Sequence, residues 1–146
     1  MNKKKIIAWI LVCIWLLVIF LFSSQTGSSS SELSNGIVTF LKDLFPFSFN
    51  QEFFSLLIRK LAHFSEYFVL GILVCNLVKQ YQDLKKKQYF WIFFFCLLYA
   101  CSDEFHQMFV GGRSPQILDI LIDSLGSLTG IFLIFYLKRI RERKKL

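Results

Sequence analysis

The chain has 146 residues, 55% hydrophobic and 18% aromatic, with eighteen Phe, two Pro and positive mean hydropathy. A soluble domain of that size has too little interior to hide so much apolar side chain, so lipid is the natural solvent for most of it. The net charge of +7 lacks the aromatic interleaving of a nucleic-acid surface, and no nucleic-acid partner is expected.

Ile6 to Phe22 is seventeen residues without a charge, the lower end of what crosses a hydrocarbon core of about 30 Å. The lysines before it and "SSQTGSSSS" after it imitate a signal peptide, but three further apolar runs favour a retained first helix. An outer loop follows over residues 23–58. It opens with a Ser-rich stretch of low structural preference. "ELSNGIVTFLKDLF" then places Leu33, Ile37, Leu41, Leu44 and Phe45 near helical spacing, which predicts a short amphipathic helix lying in the membrane interface and ended by Pro46. Asn50 is a candidate cap for the next helix, with Glu52 in its first turn.

The second apolar run is Leu61 to Val78. Extended back to Gln51, it makes a helix of about 42 Å, which must tilt, break or lie partly in the interface. The third run begins at Tyr89 and reaches about Met108, and the fourth covers about Ile117 to Tyr136. The four cysteines, Cys13, Cys75, Cys96 and Cys101, lie inside apolar runs without CxxC spacing. They read as small buried hydrophobes and not as a disulfide scaffold or zinc knuckle. No internal repeat is visible. The expected fold is all-α: an integral membrane four-helix bundle, one domain over residues 1–146, with spans about 6–22, 61–78, 89–108 and 117–136.

Direction follows from the lysines and arginines. Thirteen of the seventeen precede the first span, separate the second from the third, or follow the fourth. That side should be the cytoplasm, with both termini on it. The expected location is the cell membrane, multi-pass, with membrane lipids as partners and anionic lipid as a contact for the basic side.

With this topology the polar residues fall at one outer depth. The first span ends at Ser23, Ser24 and Gln25, and the second begins with Arg59, Lys60, His63 and Glu66. The third ends with Asp103, Glu104, His106 and Gln107, and the fourth begins with Asp119 and Asp123. Arg59, His63 and Glu66 are spaced i, i+4, i+7 and share a helix face, as do Asp103, His106 and Gln107, with Tyr99 one turn below. Asp119 and Asp123 line a face that Gly126 and Gly130 continue, so this face should meet another helix. Antiparallel second and third spans would set His63 and His106 on one rung, and Glu66 and Asp103 on another about 4.5 Å deeper. Glu104 points elsewhere, towards Arg113 or water. An ionised group in mid-membrane costs roughly 2.5–3.5 kcal/mol, so several together imply a purpose.

Several chemistries fit this layer. His63, Glu66, Asp103 and His106 could act as acid–base groups on a phosphate or glycosidic link, with Arg59 or Arg113 holding an anion. The same four are an alternative metal set, since oxygen and imidazole donors suit zinc, manganese or iron. Ser23, Ser24, Ser65, Ser102 and Ser114 are candidate nucleophiles, none in a nucleophile-elbow pattern. Binding without turnover is a further option, and so is a purely structural plug in which Arg59, Lys60 and Arg113 neutralise acids. A proton relay is disfavoured by the nearly charge-free inner half of the spans.

"FSSQ" at the end of the first span, "RKLAHFSEYFVLG" on the second, "YACSDEFHQMFVGGR" on the third and "DILIDSLGSLTG" on the fourth resemble VanZ-like membrane proteins. The resemblance runs from Phe22 to Gly130. One departure is Gly111, which stands where the family commonly has proline. The resemblance implies a bacterial envelope protein, in a family whose founding member is linked to resistance to the lipoglycopeptide teicoplanin without alteration of the peptidoglycan terminus. It selects Gln25, Arg59, Lys60, His63, Glu66, Asp103, Glu104, His106, Gln107, Arg113, Asp119 and Asp123, and leaves cofactor and oligomeric state open. The expectation is an outward-facing polar pocket that engages an amphiphilic envelope molecule, such as a lipid-linked wall component or a glycopeptide. The alternative is a membrane-embedded hydrolase or transferase acting on an envelope lipid. In either case His63, Glu66, Asp103 and His106 form the centre.

Overall fold

The protein is described by a computed structural model covering residues 2–44 and 50–144. Among these residues there are five helices and no strand: α1 (Lys3–Ser23), α2 (Gly27–Leu44), α3 (Gln51–Lys79), α4 (Lys86–Gln107) and α5 (Ile117–Arg143). The Asn2 side chain accepts from Lys4 N–H to start α1, and Asn50 accepts from Phe53 N–H at 3.2 Å to start α3, each satisfying a donor that the first turn leaves unpaired. The expected stop at Pro46, and Phe45 before it, lie outside the described residues.

α1, α3 and α5 are long and apolar enough to cross a membrane. α4 has 22 residues, a length of about 33 Å, but its last turns carry Asp103, Glu104, His106 and Gln107, which lower its mean hydropathy. α3 is one unbroken helix of 29 residues. Outward-facing positions such as Leu17, Phe94, Leu121 and Phe132 are exposed, the reverse of a water-soluble surface and the expected exterior of a bundle in lipid.

The Ser-rich stretch departs from the expectation. Ser28 to Ser31 form the first turns of α2, an 18-residue helix. Thr26 Oγ1 accepts from Ser29 N–H, the Ser31 and Ser34 hydroxyls donate to the carbonyls of Gly27 and Ser30, and Gly27 N–H donates to Gly111 O at 3.1 Å. Serines that would compete with the backbone in an isolated peptide here reinforce it, because the start of the helix is anchored on the α4–α5 turn.

α3 makes its most extensive contact with α5, and glycines bring the backbones together. A Cβ on Gly126 would stand 2.3 Å from Phe64 O, one on Gly130 2.3 Å from Phe68 O, and one on Gly71 2.6 Å from Ser127 O. Backbone atoms are on the receiving side, so no side-chain rotation relieves the clash. Further ties are Trp15 Nε1 donating to Glu66 O at 2.8 Å and Tyr99 OH donating to Leu16 O at 2.8 Å. At one end, Trp9 donates to Tyr81 OH, Lys5 lies over the Tyr81 ring, and Lys138 Nζ donates to Leu84 O. The start of α1, the end of α5 and the α3–α4 turn therefore share the lysine-rich end.

Replacing Gly126 by valine should lower the thermal midpoint in detergent, with a destabilisation larger than the about 1–3 kcal/mol usual for overpacking. Gly36→Ala, where an added Cβ meets nothing within 4 Å, should leave the midpoint unchanged or raise it slightly. Equal midpoints for the two variants would contradict the close α3–α5 approach.

Candidate functional site

The other end of the bundle gathers the polar side chains. The last turn of α1, one face of α2, the outer part of α3 and Arg113 enclose a pocket of about 270 Å³. Phe22, Leu33, Ile37, Ile58 and Ala62 give it apolar walls, and Gln25, Arg59, His63, Glu66 and Arg113 supply polar groups. Arg59, His63 and Glu66, which share a face of α3, all reach it.

The two guanidinium groups set its electrostatics. Arg59 Nη2 donates to Ser31 Oγ at 2.7 Å, while its Nε is buried without a partner. Arg113 Nε donates to Gln25 O at 2.9 Å and its Nη2 to Phe22 O at 3.3 Å. Among the described residues, neither has a carboxylate oxygen within ion-pair distance. Burial, and then the neighbouring Arg59 charge, hold the Arg113 pKa below the ordinary arginine value, although a guanidinium stays charged throughout. The pocket therefore carries two positive charges whose hydrogen bonds go to neutral oxygens, beside an apolar wall.

Behind the pocket wall, where α3, α4 and α5 meet, His63, Asp103 and Asp123 bring one ligating atom each within 4.8 Å of one another. His63 is 7% exposed, Asp103 5% and Asp123 1%. His63 Nδ1 lies 3.4 Å from Asp123 Oδ1, but the pair lacks hydrogen-bonding geometry and both atoms count as buried without a partner. Gln107 Nε2 donates to Asp103 Oδ2 at 3.4 Å. The Ser23 hydroxyl approaches the Asp103 carboxylate, yet it too is buried and unpartnered.

The remaining sequence-selected residues fall elsewhere. His106 leaves this cluster: its Nε2 is 3.1 Å from Ser24 Oγ and its ring packs on Phe20, with centroids 4.7 Å apart. The expected rung of two histidines is therefore absent, because α3 lies against α5 and presents His63 to Asp123. Lys60 forms an ion pair with Asp119 and donates to Gln116 Oε1 at 3.1 Å, a tie between α3 and the start of α5. Glu104 faces neither Arg113 nor water. It is buried and accepts from Gln116 N–H, so it caps α5, where a carboxylate meets unpaired N–H groups and the positive end of the helix dipole. Tyr67, fully buried with its ring 6.3 Å from that of Tyr99 and its hydroxyl unpartnered, was not singled out in the sequence. Its position within an apolar run gave no signal.

Glu104→Ala should destabilise the protein by about 1–3 kcal/mol, the cost of an unsatisfied buried donor. Glu104→Gln, which keeps an acceptor, should recover most of that loss in the same thermal-melt assay. A pair of variants with equal midpoints would show that the cap is unimportant.

The sequence model of a family described as VanZ/LLP1 matches residues 8–139. No curated protein and no solved structure gives a significant match.

Proposed function

The chain belongs to the VanZ/LLP1 family, and from that premise we propose that it engages an anionic amphiphile of the bacterial envelope in an outward-facing pocket. In this reading α4 is a fourth span that ends at the outer surface with its polar turns inside the protein. Both termini lie in the cytoplasm with the lysine-rich end, as the positive-inside bias requires. α2 lies at the interface, its Leu33 and Ile37 side chains half exposed to whatever enters.

One observation carries the reading: two guanidinium groups without carboxylate partners share a pocket with an apolar wall. Two half-buried guanidinium groups close enough to act on one another are stabilised where their charge is answered, and an anionic head group answers it. The acyl or isoprenoid part then lies along Leu33, Ile37 and Ile58. A lipid-linked wall component has this chemistry, and so does a lipoglycopeptide with its fatty tail. The contribution to glycopeptide resistance follows from occupancy of this pocket. A second reading, a membrane-embedded hydrolase or transferase, draws on the His63–Asp123 contact, which sets a carboxylate beside an imidazole at the pocket wall.

In nanodiscs, the protein should retain phosphatidylglycerol over phosphatidylcholine by native mass spectrometry. Arg59→Ala and Arg113→Ala should each weaken that preference by about tenfold, or 1.4 kcal/mol. Equal retention of both lipids by the wild type would defeat the anion-binding reading. Alanine at His63 separates binder from enzyme: a loss of turnover with affinity preserved within severalfold supports catalysis. In cells, protection against teicoplanin should exceed protection against vancomycin, and equal protection would count against recognition of a lipid tail.

A further inference from the structure

We propose that His63, Asp103 and Asp123 bind one first-row divalent cation, of the Zn²⁺ or Mn²⁺ class, where the pocket wall meets the junction of α3, α4 and α5. This site is independent of the amphiphile reading.

The donor set is one imidazole and two carboxylates, the mixture that suits these cations and disfavours the softer, sulfur-seeking ones. Each residue offers one atom, and the three atoms already lie within 4.8 Å of one another. Two ligands bound to one zinc at about 2.0–2.1 Å stand about 3.3 Å apart in a tetrahedral shell. His63 Nδ1 and Asp123 Oδ1 are 3.4 Å apart, long for a hydrogen bond, and neither has another partner. That is the arrangement of two atoms aimed at a common third one.

Charge gives an independent argument. Two carboxylates are more than nine-tenths buried here, and among the described residues no lysine or arginine nitrogen lies within ion-pair distance of either. The nearby cations are engaged elsewhere: Lys60 with Asp119, Arg59 with Ser31, and Arg113 with two backbone carbonyls. Two buried carboxylates answered by no more than the one His63 imidazole are strongly unfavourable when ionised, and a divalent ion supplies the missing charge. The Ser23 hydroxyl, close to Asp103 and on the pocket wall, is a further oxygen beside the cluster. His63 also lines the pocket, so three protein ligands leave a coordination position near the pocket for a further oxygen.

The test is metal content of the full-length protein, purified and then equilibrated with Zn²⁺ or Mn²⁺ and dialysed. Inductively coupled plasma mass spectrometry should find close to one ion per chain. Asp123→Asn and His63→Ala should lower retention by at least tenfold, whereas His106→Ala should keep it. Less than a tenth of an ion per wild-type chain for both metals overturns the proposal, as does undiminished retention in folded Asp123→Asn and His63→Ala. If those variants fail to fold, X-ray absorption on the zinc-loaded wild type decides. One imidazole with oxygen neighbours at about 2.0–2.1 Å supports the site. A sulfur shell, or two imidazoles, overturns it. A wild type that retains metal but shows no lipid preference sinks the amphiphile reading and leaves the cation site standing, and a wild type with the preference but no metal does the opposite.

Discussion

The backbone-to-backbone approach of α3 and α5 is the constraint on which the rest depends. Gly71, Gly126 and Gly130 remove the side chains that would hold the helices apart. In a bilayer, where lipid tails are as apolar as leucine, close van der Waals contact of this kind is a main source of helix association. Once the two helices touch, His63 has to lie on Asp123, and Lys60 has to reach Asp119 one turn further out. α4 then completes the junction with Asp103 inside and Glu104 beneath the start of α5. The polar residues near this end are thus distributed by function within the packing: Lys60, Asp119 and Glu104 tie helices together, while Arg59, His63 and Arg113 remain on the pocket.

That division separates the residues that tie helices together from those that line the pocket. The tie residues are matched charge to charge or charge to helix terminus. The pocket residues are matched to hydroxyls and carbonyls, and two of their buried nitrogens, Arg59 Nε and His63 Nδ1, are matched to nothing. Buried polar atoms in proteins nearly always have partners. A group of exceptions at one end of a bundle is therefore where a bound molecule or ion is expected to make up the difference.

Much of this was legible in the sequence. The i, i+4, i+7 spacing of Arg59, His63 and Glu66 put them on one face, and all three line the pocket. The glycine stripe below Asp119 and Asp123 marked a close helix contact. What could not be read was the identity of the neighbour, because periodicity within a helix reports a direction and not what stands there. Helix spacing alone sets His63 level with His106 of α4, whereas the glycines send it to α5 and leave His106 to α1. The helical state of Ser28 to Ser31 was hidden for a related reason. Its cause is a contact with Gly111, far along the chain, and local propensity carries no trace of it. Glu104 escaped for the opposite reason: its partner is a backbone N–H, which every sequence has everywhere.

The tie between the start of α2 and the α4–α5 turn also bears on the order in which the molecule assembles. Gly27 donates to Gly111, the Gly112 backbone at φ +73° leaves no room for a side chain on Gly27, and Arg113 reaches back 88 residues to Gln25. A ribosome delivers α2 well before the turn it needs. The serine turns of α2 therefore cannot settle until α4 has been made, and closing a loop of that length is entropically slow to be repaid. The pocket is a late product of folding, finished after the helices around it. A chain stopped short of Arg113 would have α1 to α4 without the turn that closes the pocket, so the pocket is finished only after α4 has been made.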